Sequence, residues 1–126
     1  MNSTFTKIVR LILGLGLLFF GFSKLFHFSF MPVHIYTGDA ALFIDSLNNS
    51  GYILKFIGIF EIAIGLMLLI GKWMPFALLL LAPISLNILM FHLFLDTPGL
   101  TLALLVIFLN IILIYKHWKV YRPLFI

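Results

Sequence analysis

Polar residues are almost absent from four stretches of the chain, and most charged residues lie between or beside them. The stretches cover 8–26, 52–70, 74–95 and 99–115. A helix needs about 20 apolar residues to cross the hydrocarbon of a bilayer, and each stretch is close to that length. Backbone groups in lipid must form hydrogen bonds within their own segment, which favours helices over open strands. We therefore predict an all-α transmembrane four-helix bundle, forming a single domain over residues 1–126.

The composition supports a membrane protein. Of the 126 residues, 63% are hydrophobic and 10% are charged, and the mean hydropathy is +1.23. In a soluble domain about a quarter of the residues are charged, so we expect the lipid bilayer to surround this chain. The net charge of +4 is explained by the orientation of the helices in the membrane and by the attraction of basic residues to anionic lipid headgroups. We expect no nucleic-acid partner.

The distribution of charge predicts the orientation of the helices. Basic residues are found around the start of the first stretch, between the second and third, and after the fourth: Lys7, Arg10, Lys72, Lys116, Lys119 and Arg122. Three acidic residues lie in the other connections: Asp39, Asp45 and Asp96. The positive-inside rule then places both termini and the Lys72 turn in the cytoplasm.

One connection and two of the stretches add further expectations. The segment 40–47 has the pattern of a short amphipathic helix on the outer side, between the first and second spans. Pro83 lies inside the third stretch and is expected to kink that helix. In the first stretch Gly14 and Gly21 lie seven residues apart on one helix face, where small residues let two helix backbones approach closely.

Glu61 is the only acidic residue inside the four stretches. A charged side chain at the bilayer centre costs about 3 kcal/mol on insertion scales, so such residues usually face a bundle interior and mark a functional site. Gly58 and Gly65 lie on the same face as Glu61, within about 60° at 100° per residue. This face predicts close helix packing, with Glu61 pointing into the protein at the centre of a polar site.

Lys24, Asn87 and His92 are the candidate partners of Glu61. Glu61 lies roughly 14 Å, and Asn87 roughly 13 Å, below the outer ends of their helices, whereas Lys24 and His92 lie within about a turn of theirs. Side chains lean toward the N-terminus of their helix, which directs Lys24 and His92 inward and Glu61 outward. Because Asn87 and His92 are about 140° apart on a straight helix, we predict Asn87 as the deep partner and His92 as a rim residue.

Each candidate also has a structural interpretation. Glu61 and Asn87 would link two helices through a hydrogen bond, and Lys24 would extend its side chain to the headgroups. His92 would be an interfacial hydrogen-bonding residue, and Asn110 in the fourth stretch is predicted to hold helices together.

No metal site is predicted. The four histidines are scattered along the chain without the spacing of metal ligands: His27, His34, His92 and His117. Cysteine is absent, which excludes thiol redox relays and thiolate-held metal clusters. Any redox role would therefore need a bound cofactor or a partner protein.

Several motifs, in order and spacing, resemble those of the DoxX family of small four-helix membrane proteins. They are Arg10 with LGLGLLFFGFSKLF at 13–26, GIFEIAIGL at 58–66, LNILMFH at 86–92 and YRPL at 121–124. The resemblance implies a multi-pass protein of the bacterial inner membrane. By motif position it also implies that Lys24, Glu61, Asn87 and His92 form the polar core.

The resemblance implies a role as an accessory or quinone-interacting subunit of a membrane redox system, with a quinone as its cofactor. The alternative is a non-catalytic partner or assembly factor for another membrane protein complex. A small-molecule or proton carrier is a third interpretation, for which four spans are few unless the protein forms a homo-oligomer. The residues leave open whether the protein is itself an enzyme.

Overall fold

The computed structural model describes residues 4–25 and 37–126, and these residues form an all-α bundle. The helices, in chain order, are α1 (Thr4–Leu25), α2 (Gly38–Asn49), α3 (Ile53–Ile70), α4 (Met74–Phe94), α5 (Leu100–Lys116) and α6 (Trp118–Tyr121). Short 3₁₀ helices, Thr97–Gly99 and Arg122–Phe125, precede α5 and follow α6. The segments α1, α3, α4 and Thr97–Lys116 are each long and apolar enough to cross a membrane. The predicted four-helix bundle is confirmed.

The observed helix limits differ little from the predicted ones, except at the start of α1. This helix begins at Thr4, so Lys7 and Arg10 lie within its first turns instead of before it. The predicted end at residue 26 falls outside the described residues. The predicted outer segment 40–47 is part of α2, which buries Ala40 and leaves Leu42 and Phe43 exposed.

Helix α1 packs mainly against α3, and α4 packs mainly against α5. The α1–α3 contact is formed by four glycines, Gly14, Gly21, Gly58 and Gly65, which we call the glycine seam. A Cβ atom on Gly21 would lie 2.7 Å from the carbonyl oxygen of Gly58, and one on Gly65 would lie 2.8 Å from that of Gly14. The two backbones are therefore in direct contact, as the spacing of the glycines predicted.

Helices α4 and α5 contribute larger side chains to the core of the bundle. Leu78 and Leu81 of α4 and Leu113 of α5 are fully buried and belong to one apolar core, which also includes Leu17 of α1 and Leu68 of α3. Dispersion contacts between such side chains hold helices together in lipid, where the hydrophobic effect between spans is weak.

One end of the bundle, which we call the basic end, contains the turn between α3 and α4. Gly71 adopts a left-handed conformation at φ 82°, and the guanidinium of Arg10 lies 2.6 Å from the position that its Cβ would occupy. The Tyr121 hydroxyl donates a hydrogen bond of 2.6 Å to the carbonyl of Pro75. The C-terminal tail therefore folds back onto the start of α4 and buries Tyr121.

Candidate functional site

Glu61 lies in the middle of the glycine seam and is fully buried, with 0% of its surface exposed. Its Oε1 atom forms an ion pair of 2.7 Å with Nζ of Lys24 from α1. Gly58 makes room for this partner, because a Cβ there would lie 3.1 Å from Cβ of Lys24. The prediction that Glu61 points into the protein is confirmed, and the glycines are the physical reason.

The two partners differ in their access to the surroundings. The Lys24 side chain is 28% exposed, whereas that of Glu61 is closed off. The ammonium also lies 5.9 Å from the centre of the Phe20 ring, within the range of a cation–π contact. In the part of the chain that the structure describes, the pair is therefore accessible through Lys24.

One oxygen of the carboxylate is left over. Among the described residues, neither oxygen of Glu61 has a donor in hydrogen-bonding geometry, and the ion pair with Lys24 is formed by Oε1, which leaves Oε2 without a partner. A buried acceptor without a donor is unfavourable and therefore rare in folded proteins. The atom is a place where a hydroxyl group of a bound molecule, or a proton, would be stabilised.

An apolar groove of about 160 Å³ lies between α1 and α5. Gly16 and Phe20 line it from α1, and Leu105 and Leu109 line it from α5. No atom lies within 4 Å of the position that a Cβ on Gly16 would occupy, so this glycine provides space instead of helix contact. Phe20 joins the groove to the ion pair, because its ring also contacts Lys24.

Asn87 is not a partner of Glu61, and that prediction is wrong. Its side chain is exposed on α4, and Lys24 takes the place beside the carboxylate. The rotation of α4 turns Asn87 outward and Ser85 inward. Ser85 is buried and donates a hydrogen bond of 3.0 Å to Oδ1 of Asn110.

His92 lies near the end of α4 opposite the basic end and contacts Asp96 instead of Glu61. Its Nδ1 atom is 3.0 Å from Oδ2 of Asp96 and 3.1 Å from the backbone carbonyl of the same residue. Gly99 leaves the space that this ring occupies. His92 is thus a rim residue, as predicted, and the structure brings only Lys24 and Glu61 together among the four candidates.

Two polar contacts were missed at the sequence level. The His92–Asp96 pair has the i, i+4 spacing of neighbouring side chains on a helix, which was a usable signal. The Ser85–Asn110 hydrogen bond had no such signal, because its partners are 25 residues apart. Asn110 also donates to the Leu78 carbonyl at 3.4 Å, which confirms its predicted role in holding helices together.

The described residues contain no group of three or more acidic or histidine side chains that could hold a metal ion. His27 and His34 lie outside the described residues. Comparisons with family models, curated proteins and solved structures find no match to this chain.

Proposed function

We propose that the protein is a quinone-interacting accessory subunit of a membrane redox system, in the inner membrane of a bacterium. The observation that carries this proposal is the buried carboxylate of Glu61, with one oxygen paired to Lys24 and the other without a donor among residues 4–25 and 37–126. An ammonium and a carboxylate side by side offer a donor and an acceptor to one polar head group. The motifs that resemble the DoxX family support the same assignment.

Each residue has a defined part in this proposal. The Lys24 ammonium donates a hydrogen bond to a quinone carbonyl. Since Glu61 is fully buried in the unbound protein, its Oε2 atom accepts a hydrogen bond from a quinol hydroxyl only once the head group has opened the seam beside Lys24. Reduction of a quinone to a quinol takes up two electrons and two protons, and Glu61 is placed to pass on a proton. The electrons come from a redox partner protein, because the chain has no cysteine for a thiol relay.

The groove between α1 and α5 is suited to the other part of such a molecule. Its wall consists of apolar side chains, and Phe20 lies both in this wall and beside Lys24. An isoprenoid tail in the groove would therefore place its head group near the ion pair. Other lipid tails fit the groove equally well, so the head group decides the selectivity.

The test is retention of a quinone by the purified protein. The wild-type chain in lipid nanodiscs is equilibrated with ubiquinone or menaquinone, and bound quinone is quantified by mass spectrometry. We expect Glu61→Gln to weaken binding roughly 10- to 100-fold, which corresponds to one hydrogen bond to a charged group. Asp45→Asn is the matched control, because it removes an exposed carboxylate on α2.

A second pair of variants tests the groove. Gly16→Leu fills open space and should reduce retention, whereas Ala63→Leu adds similar bulk to an exposed position of α3 and should not. Unchanged retention in both Glu61→Gln and Gly16→Leu would refute the quinone proposal. The alternative, a non-catalytic partner or assembly factor, would then be supported by a stoichiometric protein that co-purifies with the chain.

A further inference from the structure

Asn87 is a polar residue on the outer surface of a membrane span. It lies seven residues from the end of α4, about 10 Å inside the span, and its side chain is exposed. Asn110, also within a span, uses both its oxygen and its nitrogen in hydrogen bonds. Asn87 forms none with the described residues. An amide without a partner in hydrocarbon is unfavourable, so another molecule is expected to cover it.

The surface around Asn87 also includes Pro83. Pro83, one turn earlier and also exposed, has no N–H to donate to the carbonyl of Leu79. Exposed apolar side chains continue this stripe in both directions. We call the whole stripe the Asn87 face; it consists of Phe76, Pro83, Asn87, Met90 and Phe94.

We propose that the Asn87 face is a homodimer interface. All copies of a membrane protein share one orientation, so a closed pair has its two-fold axis along the membrane normal. Identical residues of α4 then meet at the same depth. The asparagine amide is both a donor and an acceptor, so Asn87 is complementary to itself in this arrangement. A different partner would need its own polar group at this depth, whereas a second copy always has one.

The absence of cysteine makes this proposal directly testable. Met90→Cys places a thiol on the Asn87 face, and Leu104→Cys places one at a similar depth and exposure on α5. Under mild oxidation in dilute proteoliposomes, Met90→Cys should give a disulfide-linked product of twice 14.4 kDa. Leu104→Cys should remain monomeric.

The role of the amide is tested by substitutions in the Met90→Cys background. Asn87→Leu suits a lipid-exposed position and should keep the fold, but it should weaken dimerisation roughly 3- to 30-fold. Asn87→Gln keeps the amide and should retain most of the dimer. Equal cross-linking of the two cysteine variants, unchanged dimerisation in Asn87→Leu, or a product with another protein would each overturn the proposal.

Discussion

The two halves of the bundle hold their helices together in different ways. Between α1 and α3 the glycine seam brings the backbones into contact, and a charged pair, Lys24–Glu61, lies within it. Helices α4 and α5 instead contribute buried leucine side chains to the shared apolar core, and a neutral pair, Ser85–Asn110, joins these two helices. Both halves are similarly apolar in sequence, so the difference comes from side-chain size and from the kind of polar group.

The comparison separates a structural polar contact from a candidate site. Asn110 is fully buried, and both its oxygen and its nitrogen have hydrogen-bond partners within the bundle. Glu61 is equally buried, yet within the described residues its Oε2 atom has no donor, and its partner Lys24 is partly exposed. In the α1–α3 half, the carboxylate oxygen without a donor and the partial exposure of Lys24 are the two features that point to function.

The largest effect is expected for Lys24→Met. This variant leaves the Glu61 carboxylate buried without its partner, and breaking such a pair costs about 3–5 kcal/mol of stability. Glu61→Gln should cost less, because the Lys24 side chain can extend to the headgroups. The free energy of unfolding in mixed detergent micelles checks both, and the double variant should recover much of the loss. Equal losses of stability in Lys24→Met and Glu61→Gln would contradict the expectation that the buried carboxylate depends more on the pair than the lysine does.

The next effect is expected for Gly21→Ala in the glycine seam. The added Cβ would lie 2.7 Å from the carbonyl oxygen of Gly58, and a backbone atom cannot move aside as a side chain can. Such overpacking costs roughly 1–3 kcal/mol. Gly16→Ala is the matched control on the same helix, because its Cβ meets open space. If thermal unfolding shows the two variants to be equally stable, the backbone contact is not what holds α1 to α3.

A smaller effect is expected for Asn110→Leu in the α4–α5 half. Interhelical hydrogen bonds in membranes contribute about 0.6–2 kcal/mol, and Ser85 keeps a second bond, to the carbonyl of Ala82. Quinone retention should be unaffected, in contrast to Glu61→Gln. A double-mutant cycle with Ser85→Ala measures the pair directly. A loss as large as that of Lys24→Met would remove the distinction between the two halves.

The sequence predicted the helices and the burial of Glu61, because both depend on local patterns. Spans follow from apolar length, and the face of Glu61 follows from Gly58 and Gly65 at neighbouring helical positions. The pairing with Lys24 followed in part from the lean of the two side chains toward each other. The sequence did not predict that Lys24 pairs with Glu61 in place of Asn87, because the depth along the helices favoured the Asn87 amide.

The error at Asn87 has a physical cause. Helix α4 is apolar on all sides, so its sequence has no stripe that fixes which face turns inward. Ser85 and Asn87 lie about 160° apart on this helix, and only one of them can face α5. The choice depends on Asn110, a residue on another helix, and therefore on the packing of the whole bundle.

The smallest effect is expected at Tyr121, which joins the tail to the start of α4. Burial raises the pKa of this phenol to about 12 from its ordinary 10.0, so the folded state favours the neutral form that donates to Pro75. Its contribution is complete below pH 10 and is lost as the pH rises toward 12. Tyr121→Phe should lower stability by roughly 0.5–1.5 kcal/mol at neutral pH. The difference between wild type and Tyr121→Phe in thermal unfolding should then disappear in alkali, and a difference that persists above pH 12 would show that the hydroxyl is not what holds the tail.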